Sequence, residues 1–417
     1  MQKLFNYSFF LFLDKGLAFL LPLLILFLTD DRSLYASVEA AIAVSILLVP
    51  LLDLGLKYYV SYCYRQEGNK CLDRFDRLLI ILSLVSITIS IPLLIFSKLF
   101  FIVFLGILKS VHINLYQYCQ IRGRLTDNLI PPVRLNVVST ALSVFLLIAA
   151  YHSEANGNVL LFSLFIVPPF LFLINNFRSL SPAALFTFYP DNDDDDDDGD
   201  DENDVDNDND VKNFLSKCIR FSGPAIVNTL IVVGFANVLK LVIFAKFGEE
   251  DLVEYAFAFR LALLIQVFHM VISGYTFKFF LMSSDFVKML KIFLMFALSL
   301  IAITLFLAIF IDIVSGIVSY DLLKFDLLTA VVFAYTLFWC LASFFEFVYI
   351  RIDKTELMLV NSCVFLGSYC LFYFIFGIVN PLSAAVGLLV SAVCMFISNV
   401  ALIFVNRSLI FGGLSDS

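Results

Sequence analysis

The sequence is poor in the residues on which soluble enzymes and metal proteins depend. Charged residues make up only 15% of the 417 positions, against about 25% in ordinary soluble domains. There are three histidines, and neither an H-E-x-x-H motif nor another metal-ligand spacing occurs among them. The composition therefore argues against a soluble globular enzyme, and we expect no catalytic residues, no bound metal and no cofactor.

Cysteines are also few and scattered. The eight cysteines include no C-x-x-C pair, and most lie inside or at the ends of apolar runs. A disulfide framework or a thiolate metal site needs clustered or loop-borne cysteines. We therefore interpret these residues as small apolar side chains within helices.

Apolar residues, by contrast, make up 61% of the chain and include 48 phenylalanines. A helix needs about 20 apolar residues to cross a hydrocarbon core about 30 Å thick. Residues 78–94 and 295–310 are almost solidly apolar, whereas the strands of a membrane β-barrel alternate apolar and polar residues. The sequence thus predicts an all-α polytopic membrane protein with twelve spans. They cover approximately residues 5–29, 35–60, 78–97, 99–119, 131–151, 159–177, 218–245, 254–281, 288–313, 323–350, 357–379 and 382–406.

Basic residues are distributed unevenly between the two predicted sides of the membrane. With the N-terminus in the cytoplasm, and with residues near the ends of spans assigned to the adjoining side, 18 basic residues fall on the cytoplasmic side, four on the outer side and five deeper within spans. Cytoplasmic loops of membrane proteins are enriched in Lys and Arg. We therefore expect an even number of spans with both termini in the cytoplasm.

A strongly acidic segment divides the spans into two groups of six. Residues 191–210 contain 13 Asp and one Glu but no basic residue, so the rest of the chain has 27 basic against 22 acidic residues, a net +5 instead of the −9 of the whole. Such a segment repels itself and has almost no apolar surface to bury. We predict an N-terminal six-helix bundle at residues 1–180, a disordered acidic cytoplasmic linker at 181–212 and a C-terminal six-helix bundle at 213–417. The two bundles would surround a central cavity.

A short pattern recurs after the first span of each half. It is an acidic turn that leads to Tyr-Ala, and because six spans are an even number, both halves would enter the membrane from the same side. The pattern occurs at Asp30, Asp31, Tyr35 and Ala36, and again at Glu250, Asp251, Tyr255 and Ala256.

Several short motifs resemble those of bacterial polysaccharide flippases, a family of the multidrug and oligosaccharidyl-lipid exporter superfamily. They are D-K-G at residues 14–16, L-D-L-G-L at 52–56, F-S-G-P at 221–224, F-G at 247–248 and R-L-A at 260–262. By span count and layout the resemblance covers the whole chain. One departure is Leu239-Lys240, where such flippases commonly have an Asp-Arg pair.

The resemblance implies a function and a location. The chain would translocate an undecaprenyl-diphosphate-linked oligosaccharide, an O-antigen or other surface polysaccharide repeat unit, across the bacterial cytoplasmic (inner) membrane by alternating access. Its partners would be this lipid-linked substrate, the membrane lipids, a coupling proton or sodium ion and polysaccharide-assembly proteins, without nucleic acid.

Basic residues inside the predicted spans are the candidate substrate-binding groups. A charge at the bilayer centre costs about 2.5–3.5 kcal/mol on insertion scales, so it faces a cavity or a partner. Because a lipid-linked diphosphate carries two negative charges, we predict that Lys15, Lys109 and Arg260 contact it. In the alternative interpretation, Asp14 and Lys15 only neutralise other buried charges and fix helix packing.

Acidic residues and prolines in the spans suggest further roles. Carboxylates are the usual ion relays of pumps, although Asp53 could instead satisfy backbone groups near Gly55. Helix-interrupting prolines free backbone carbonyls at bends. The candidates are Asp14, Glu39 and Asp53 for coupling or ion pairs, Lys57 and Lys240 as secondary cations or interfacial anchors, and Pro22 and Pro224 as hinges.

Two other functions are open at this point. One is a multidrug or organic-ion exporter of the same superfamily, although cationic drugs would favour an acidic, aromatic-lined cavity. The other is a polymerase or ligase acting on the same lipids. Such an enzyme is expected to have a long outer loop with catalytic groups, and no predicted outer loop exceeds about a dozen residues.

Overall fold

The structure is a computed structural model, and every regular element among its described residues is a helix, as the composition predicts. It describes residues 2–53, 56, 59–60, 63–64, 69–95, 97–126, 128–177, 216, 222–224, 226–282, 286–318, 325–345, 348–349 and 356–405. The predicted acidic linker and Lys57 lie outside these residues.

Twelve α-helices carry the described part of the chain. In chain order they are α1 (Gln2–Thr29), α2 (Arg32–Leu52), α3 (Asn69–Ser90), α4 (Lys98–Leu125), α5 (Ile130–His152), α6 (Gly157–Phe177), α7 (Phe235–Phe247), α8 (Glu249–Met282), α9 (Phe286–Val318), α10 (Leu327–Ser343), α11 (Glu356–Phe376) and α12 (Pro381–Val405).

These helices match the predicted membrane spans. Eleven helical segments of the described chain are long and apolar enough to cross a membrane, and α10, with 17 residues, is a shorter apolar helix at the position of the tenth predicted span. The chain is thus a polytopic, all-helical membrane protein, as predicted.

Turn residues and caps set several helix ends. The last turn of the third span tightens to a 3-10 helix, Ile91–Ile95, at Pro92, because proline cannot donate the backbone hydrogen bond of an α-helix. Gly248, at φ 103°, separates α7 from α8 in a conformation that disfavours any other residue. Asp326 caps α10 by accepting a 2.8 Å hydrogen bond from the Thr329 backbone N–H.

The described residues form two compact units. Unit 1 comprises Met1–Ala18 and Val44–Ile226, and unit 2 comprises Phe19–Ala43 and Val227–Ser417. The segment Phe19–Ala43, from the predicted N-terminal bundle, thus belongs to unit 2. Pro22 lies inside α1, four residues past the division between the units.

Each unit has its own apolar core. In unit 1, Phe75 of α3, Leu115 of α4 and Phe172 of α6 are each completely buried in one cluster. In unit 2, Phe296 of α9 and Phe365 of α11 belong to a larger cluster. Such packing holds each set of helices together and fixes the polar side chains that lie between them.

Candidate functional site

The first polar cluster, in unit 1, is built around Asp14. This residue is 2% exposed, in the middle of an apolar helix where an ionised carboxylate needs partners. Tyr116 of α4 donates a 2.8 Å hydrogen bond to Oδ2 of Asp14, and the side-chain amide of Asn136 on α5 donates to Oδ1. Lys15 Nζ lies 3.4 Å from the same Oδ2. Two neutral donors and one cation therefore stabilise the carboxylate.

A hydrogen-bonded chain continues from Asn136 to Lys109. His112 Nε2 lies 2.6 Å from Oδ1 of Asn136, and Lys109 Nζ lies 3.3 Å from His112 Nδ1. Because an ammonium group can only donate, Nδ1 accepts, and the proton of a neutral imidazole is then on Nε2. Lys109, His112, Asn136 and Asp14 thus form a directed chain that ends at the carboxylate.

Lys15 is a partly exposed cation beside the buried Asp14. Its side chain is 29% exposed, whereas that of Asp14 is 1% exposed. The ammonium also lies 5.8 Å from the centre of the Tyr116 ring, a distance at which a cation is attracted to the face of an aromatic ring. Lys15 could therefore contact a ligand while it stays close to Asp14.

The second polar cluster, in unit 2, is a buried ion triad. Glu39 of α2 is completely buried, and its two oxygens accept from different cations. Lys240 Nζ of α7 lies 3.1 Å from Oε2, and Arg260 Nε of α8 lies 2.5 Å from Oε1. The side chains of Lys240 and Arg260 are only 10% and 7% exposed. The two cations and one carboxylate of the triad together have a formal charge of +1.

A third polar cluster in unit 2 consists of neutral groups. Tyr349 and Asn361 each donate to Oδ1 of Asn399, at 2.8 and 2.6 Å, and Ser362 donates to Oδ1 of Asn228 at 2.5 Å. The three Asn side chains line a small cavity with Trp339 and Ser343. Since each of these amide oxygens already accepts a hydrogen bond, the cluster ties together the helices of unit 2.

The structure separates the predicted substrate-binding residues into two sets. Lys15 and Lys109 lie in unit 1 and are linked through the Asp14 chain, whereas Arg260 lies in unit 2 and is paired with Glu39. Asp53 is 2% exposed and directly follows α2. Pro224 lies in a helical turn, residues 222–224.

Sequence reasoning missed the neutral partners of the charges. Lys109, His112, Tyr116 and Gln120 follow one another at intervals of three or four residues on α4, which places them on one face of the helix. Gln120 donates a 2.8 Å hydrogen bond to the Tyr116 hydroxyl. This polar stripe within an apolar span could have been found in the sequence, whereas Asn136 gives no comparable signal.

Metal binding has no support in the described part of the chain. There, no group of three or more His, Cys, Asp or Glu side chains is arranged to hold a metal ion. Two of the three polar clusters place ionised groups in an apolar interior, where such groups can bind charged ligands and exchange one for another.

Comparison with known proteins identifies the fold. The sequence matches no protein-family profile and no curated protein. The structure is similar to that of the MATE multidrug transporter DinF-BH, with a TM-score of 0.62 and 13% identity over 98% of this chain and 94% of that chain. A MATE transporter mutant, VcmN of Vibrio cholerae, aligns with a TM-score of 0.52 and 13% identity over 98% of both chains.

A third solved structure has the same fold. It is a MOP superfamily transporter from Pyrococcus furiosus, for which a reverse polarity of the binding pocket suggests a different function; the TM-score is 0.59, with 13% identity over 97% of this chain and 94% of that chain. The chain therefore has the two-bundle fold of MATE transporters of the MOP superfamily. The superfamily fold that the sequence motifs implied is confirmed, and these structures do not support a polysaccharide flippase in particular.

Proposed function

We propose that this protein is a secondary transporter that exports an organic ion by alternating access, in the manner of the multidrug and organic-ion exporters with this fold, and that the ion is an anion. The observation that supports the sign of the charge is the triad in unit 2, where Lys240 and Arg260 share the single carboxylate of Glu39. A buried excess of positive charge is stabilised by an anionic ligand and destabilised by a cationic one.

The fold itself leaves the sign of the substrate charge open. The Pyrococcus furiosus transporter is described as having a binding pocket of reverse polarity. The polarity of the binding pocket is therefore not fixed by the fold, and the sign of the substrate charge has to be inferred from the charged residues of each chain.

Lys15, Lys109 and Arg260 are the proposed anion-binding residues. Each has a partner in the structure, namely Asp14, His112 and Glu39 respectively. A substrate anion would therefore compete with Asp14 and Glu39 for their cations. Lys15, with the most exposed side chain of the ion pairs in the two clusters, is the residue that an incoming anion would meet at the lowest desolvation cost.

Asp14 is the proposed coupling residue. Its carboxylate lies at the end of a hydrogen-bonded chain and beside a cation, so binding of a proton or sodium ion would cancel the charge that Lys15 now balances. Such a change would make Lys15 available to a substrate anion.

A transport assay with two dyes tests this proposal. The full chain is reconstituted in liposomes, and uptake of a fluorescent carboxylated or sulfonated dye is compared with that of a cationic dye under an imposed proton or sodium gradient. We expect uptake of the anionic dye, and a loss of at least tenfold in Lys15→Ala, Lys109→Ala and Arg260→Ala at equal amounts of folded protein. Transport of the cationic dye alone, or full activity in all three variants, would contradict the proposal.

A second candidate is the translocation of an undecaprenyl-diphosphate-linked oligosaccharide across the bacterial cytoplasmic membrane. The motifs at residues 14–16 and 260–262 favour it, because each contains a buried or half-buried cation of the two charged clusters. The test is complementation of a flippase-deficient bacterial strain, with surface polysaccharide as the readout. Restored polysaccharide favours this candidate, and its absence despite membrane expression favours the export of soluble anions.

The orientation of the chain is part of the proposal. The 18 to four asymmetry of basic residues supports cytoplasmic termini. Reporter fusions at both termini, one active only inside and one only outside the cell, measure the orientation directly.

A further inference from the structure

Unit 2 contains a small polar cavity between α10, α11, α12 and the first part of the seventh span. Among the described residues, three carboxamides, one hydroxyl and one indole line it, together with two methionines and an alanine, and no charged side chain does. Its volume has room for about one water molecule. The polar lining residues are Asn228, Trp339, Ser343, Asn361 and Asn399.

Hydrogen bonds hold the amides of the cavity wall in one orientation. Asn361 Nδ2 donates to Oδ1 of Asn399 at 2.6 Å, and Asn361 Oδ1 accepts from Oγ of Ser398 at 3.1 Å. Asn399 Nδ2 donates to the backbone oxygen of Met395 at 2.9 Å. A carboxamide has two N–H groups, and its oxygen accepts two hydrogen bonds. One N–H of Asn399 and one acceptor position of Asn361 Oδ1 are therefore not used by the described residues.

The wall that α10 forms adds a second donor. Thr336, Trp339 and Ser343 follow one another at intervals of three and four residues, so they share one face of this helix. The indole N–H of Trp339 donates to no described residue. The Thr336 hydroxyl, one turn away, is completely buried and also makes no hydrogen bond within the described chain. Because buried polar groups almost always have a partner, this face of α10 is suited to a polar ligand.

Ser343 adds an acceptor to the same wall. Its single proton is donated to the backbone oxygen of Cys340 at 2.9 Å, so its Oγ accepts from Nε2 of His269, 3.0 Å away. A hydroxyl oxygen accepts two hydrogen bonds, which leaves one for a ligand. The cavity thus offers donors at Trp339 and Asn399 and acceptors at Ser343 and Asn361.

The backbone of the seventh span is irregular beside the cavity. A π-helix, Leu230–Gly234, begins two residues after Asn228, the residue through which this span lines the cavity. π-Helices are rare and are frequently found at functional sites. The irregular backbone is therefore an independent indication of a binding site at this place.

The mixture of donors and acceptors selects a hydroxyl group. A cation is bound by acceptors alone, and a carboxylate or phosphate oxygen by donors alone, whereas a hydroxyl both donates and accepts. A hydroxyl also reproduces the hydrogen bonds of a water molecule in the same position, which a methyl group does not. Apolar and aromatic walls with a few fixed polar groups are typical of sites for small molecules.

We propose that this cavity is a subsite for an uncharged hydroxyl group of the transported molecule, and that the substrate is a hydroxylated organic anion. The inference rests on the proposed export of an organic anion and specifies its chemical class. Among the described residues, no member of the Asp14 chain or of the Glu39 triad lines the cavity. The charge and the hydroxyl of the substrate would thus be recognised by different groups.

Binding of hydroxy acids to the full chain in detergent tests the subsite without transport. Each ω-hydroxy carboxylate of four to ten carbons is compared by calorimetry with the unsubstituted carboxylate of the same length, so that the two probes differ by one hydroxyl. We expect the hydroxyl to tighten binding at least about fivefold at the best chain length, because it gains hydrogen bonds in a buried site. No gain at any length would overturn the inference.

The fluorescence of Trp339 shows where the hydroxyl binds. Trp339 is the only tryptophan of the chain, so its emission reports on this cavity. We expect the best hydroxy acid to shift the emission, and the unsubstituted acid to shift it less. A calorimetric preference for the hydroxy acid without any change in emission would place the hydroxyl elsewhere and overturn the inference.

Ser343→Ala and Ser391→Ala form a matched pair of variants. Both serines donate to a backbone oxygen of their own helix, that of Cys340 and that of Gly387 respectively, but of the two only Ser343 lines the cavity. Ser343→Ala and Trp339→Phe should reduce the preference for the hydroxy acid to less than twofold and leave the affinity for the unsubstituted acid unchanged. Ser391→Ala should keep the preference of the wild type. Equal preferences in the two serine variants would overturn the inference, and because the preference is a ratio of two affinities, a smaller folded fraction does not alter it.

Two further results identify the source of the hydroxyl and the status of the transport proposal. Phosphatidylglycerol, whose headgroup has two hydroxyls, indicates a lipid ligand if it competes with the hydroxy acid more strongly than phosphatidic acid does, whereas equal competition indicates a soluble one. If the hydroxy acid is preferred as expected but liposomes transport no anion, the proposed function fails and the subsite stands. If anions are transported but the hydroxyl gains no affinity, the subsite fails and the transport proposal stands.

Discussion

The hydroxyl of Tyr116 donates a 2.8 Å hydrogen bond to Oδ2 of Asp14, although 102 residues separate the two in the sequence. The bond joins α1 to α4 inside unit 1, and the amide of Asn136 joins the same carboxylate to α5. A carboxylate in an apolar helix is tolerated only with such donors. Asp14 therefore organises three helices around one charge.

Removal of the Tyr116 hydroxyl should destabilise unit 1. Tyr116→Phe leaves one oxygen of a buried carboxylate without its neutral donor, and we expect the free energy of unfolding to fall by about 1–3 kcal/mol. Chemical unfolding in detergent, followed by circular dichroism, measures the change. Tyr373→Phe, at a tyrosine that is 54% exposed, is the control, and an equal effect of the two substitutions would contradict this role of Tyr116.

A second carboxylate beside Asp14 should be more damaging than the loss of a hydroxyl. Asn136→Asp keeps the shape of the side chain but replaces the amide donor with a like charge, and it also changes the group that faces His112. We expect the thermal unfolding temperature to fall at neutral pH by more than it does in Tyr116→Phe.

The matched control for that substitution is Asn156→Asp. The Asn156 side chain accepts a hydrogen bond from the Val159 backbone N–H at the start of α6, and a negative charge is favourable at a helix N-terminus. The control should therefore be neutral or stabilising. If Asn136→Asp were equally harmless, the carboxylate of Asp14 would not be the centre of the cluster.

The ion triad should show strong coupling in a double-mutant cycle. Glu39→Gln alone leaves two buried cations close together without a carboxylate, and we expect a loss of about 3–5 kcal/mol in unfolding free energy. Addition of Lys240→Met removes one of the two repelling charges, so the double variant should be more stable than Glu39→Gln. Additive effects of the two substitutions would show that Lys240 and Glu39 do not interact.

The order of the helices, and the ends of some of them, could be predicted from the sequence. The apolar run at residues 159–177 corresponds to α6, Gly157–Phe177, and the run at 382–406 corresponds to α12, Pro381–Val405. These boundaries depend on local composition, because a lipid-exposed helix needs a continuous apolar stretch wherever its neighbours lie.

The pairing of the charges could not be predicted in the same way. Counting residues from the ends of spans places Lys240 and Glu39 near the membrane surface, where a lysine can serve as an anchor. In the structure both are buried and paired with each other. The depth of a residue along its own helix does not show which face of another helix lies opposite it, and an ion pair depends on that. Glu39 and Lys240 are 201 residues apart in the chain.

Two glycines of unit 2 should respond in opposite ways to the same substitution. A Cβ added at Gly387 on α12 would lie 2.8 Å from Cε2 of Tyr369 and 2.9 Å from Cδ1 of Phe372, whereas one added at Gly367 on α11 would meet nothing within 4 Å. The Tyr369 ring is itself held by Phe235, at 4.7 Å between ring centres, so it cannot move aside without disturbing a further contact.

Gly387→Ala should therefore cost about 1–3 kcal/mol through overpacking of α11 against α12. Gly367→Ala should be neutral or stabilising by up to about 1 kcal/mol, because alanine favours a helix over glycine. Thermal unfolding of the two variants in the same detergent measures the difference, and equal melting temperatures would show that the close approach of α12 to α11 at Gly387 is not required for stability.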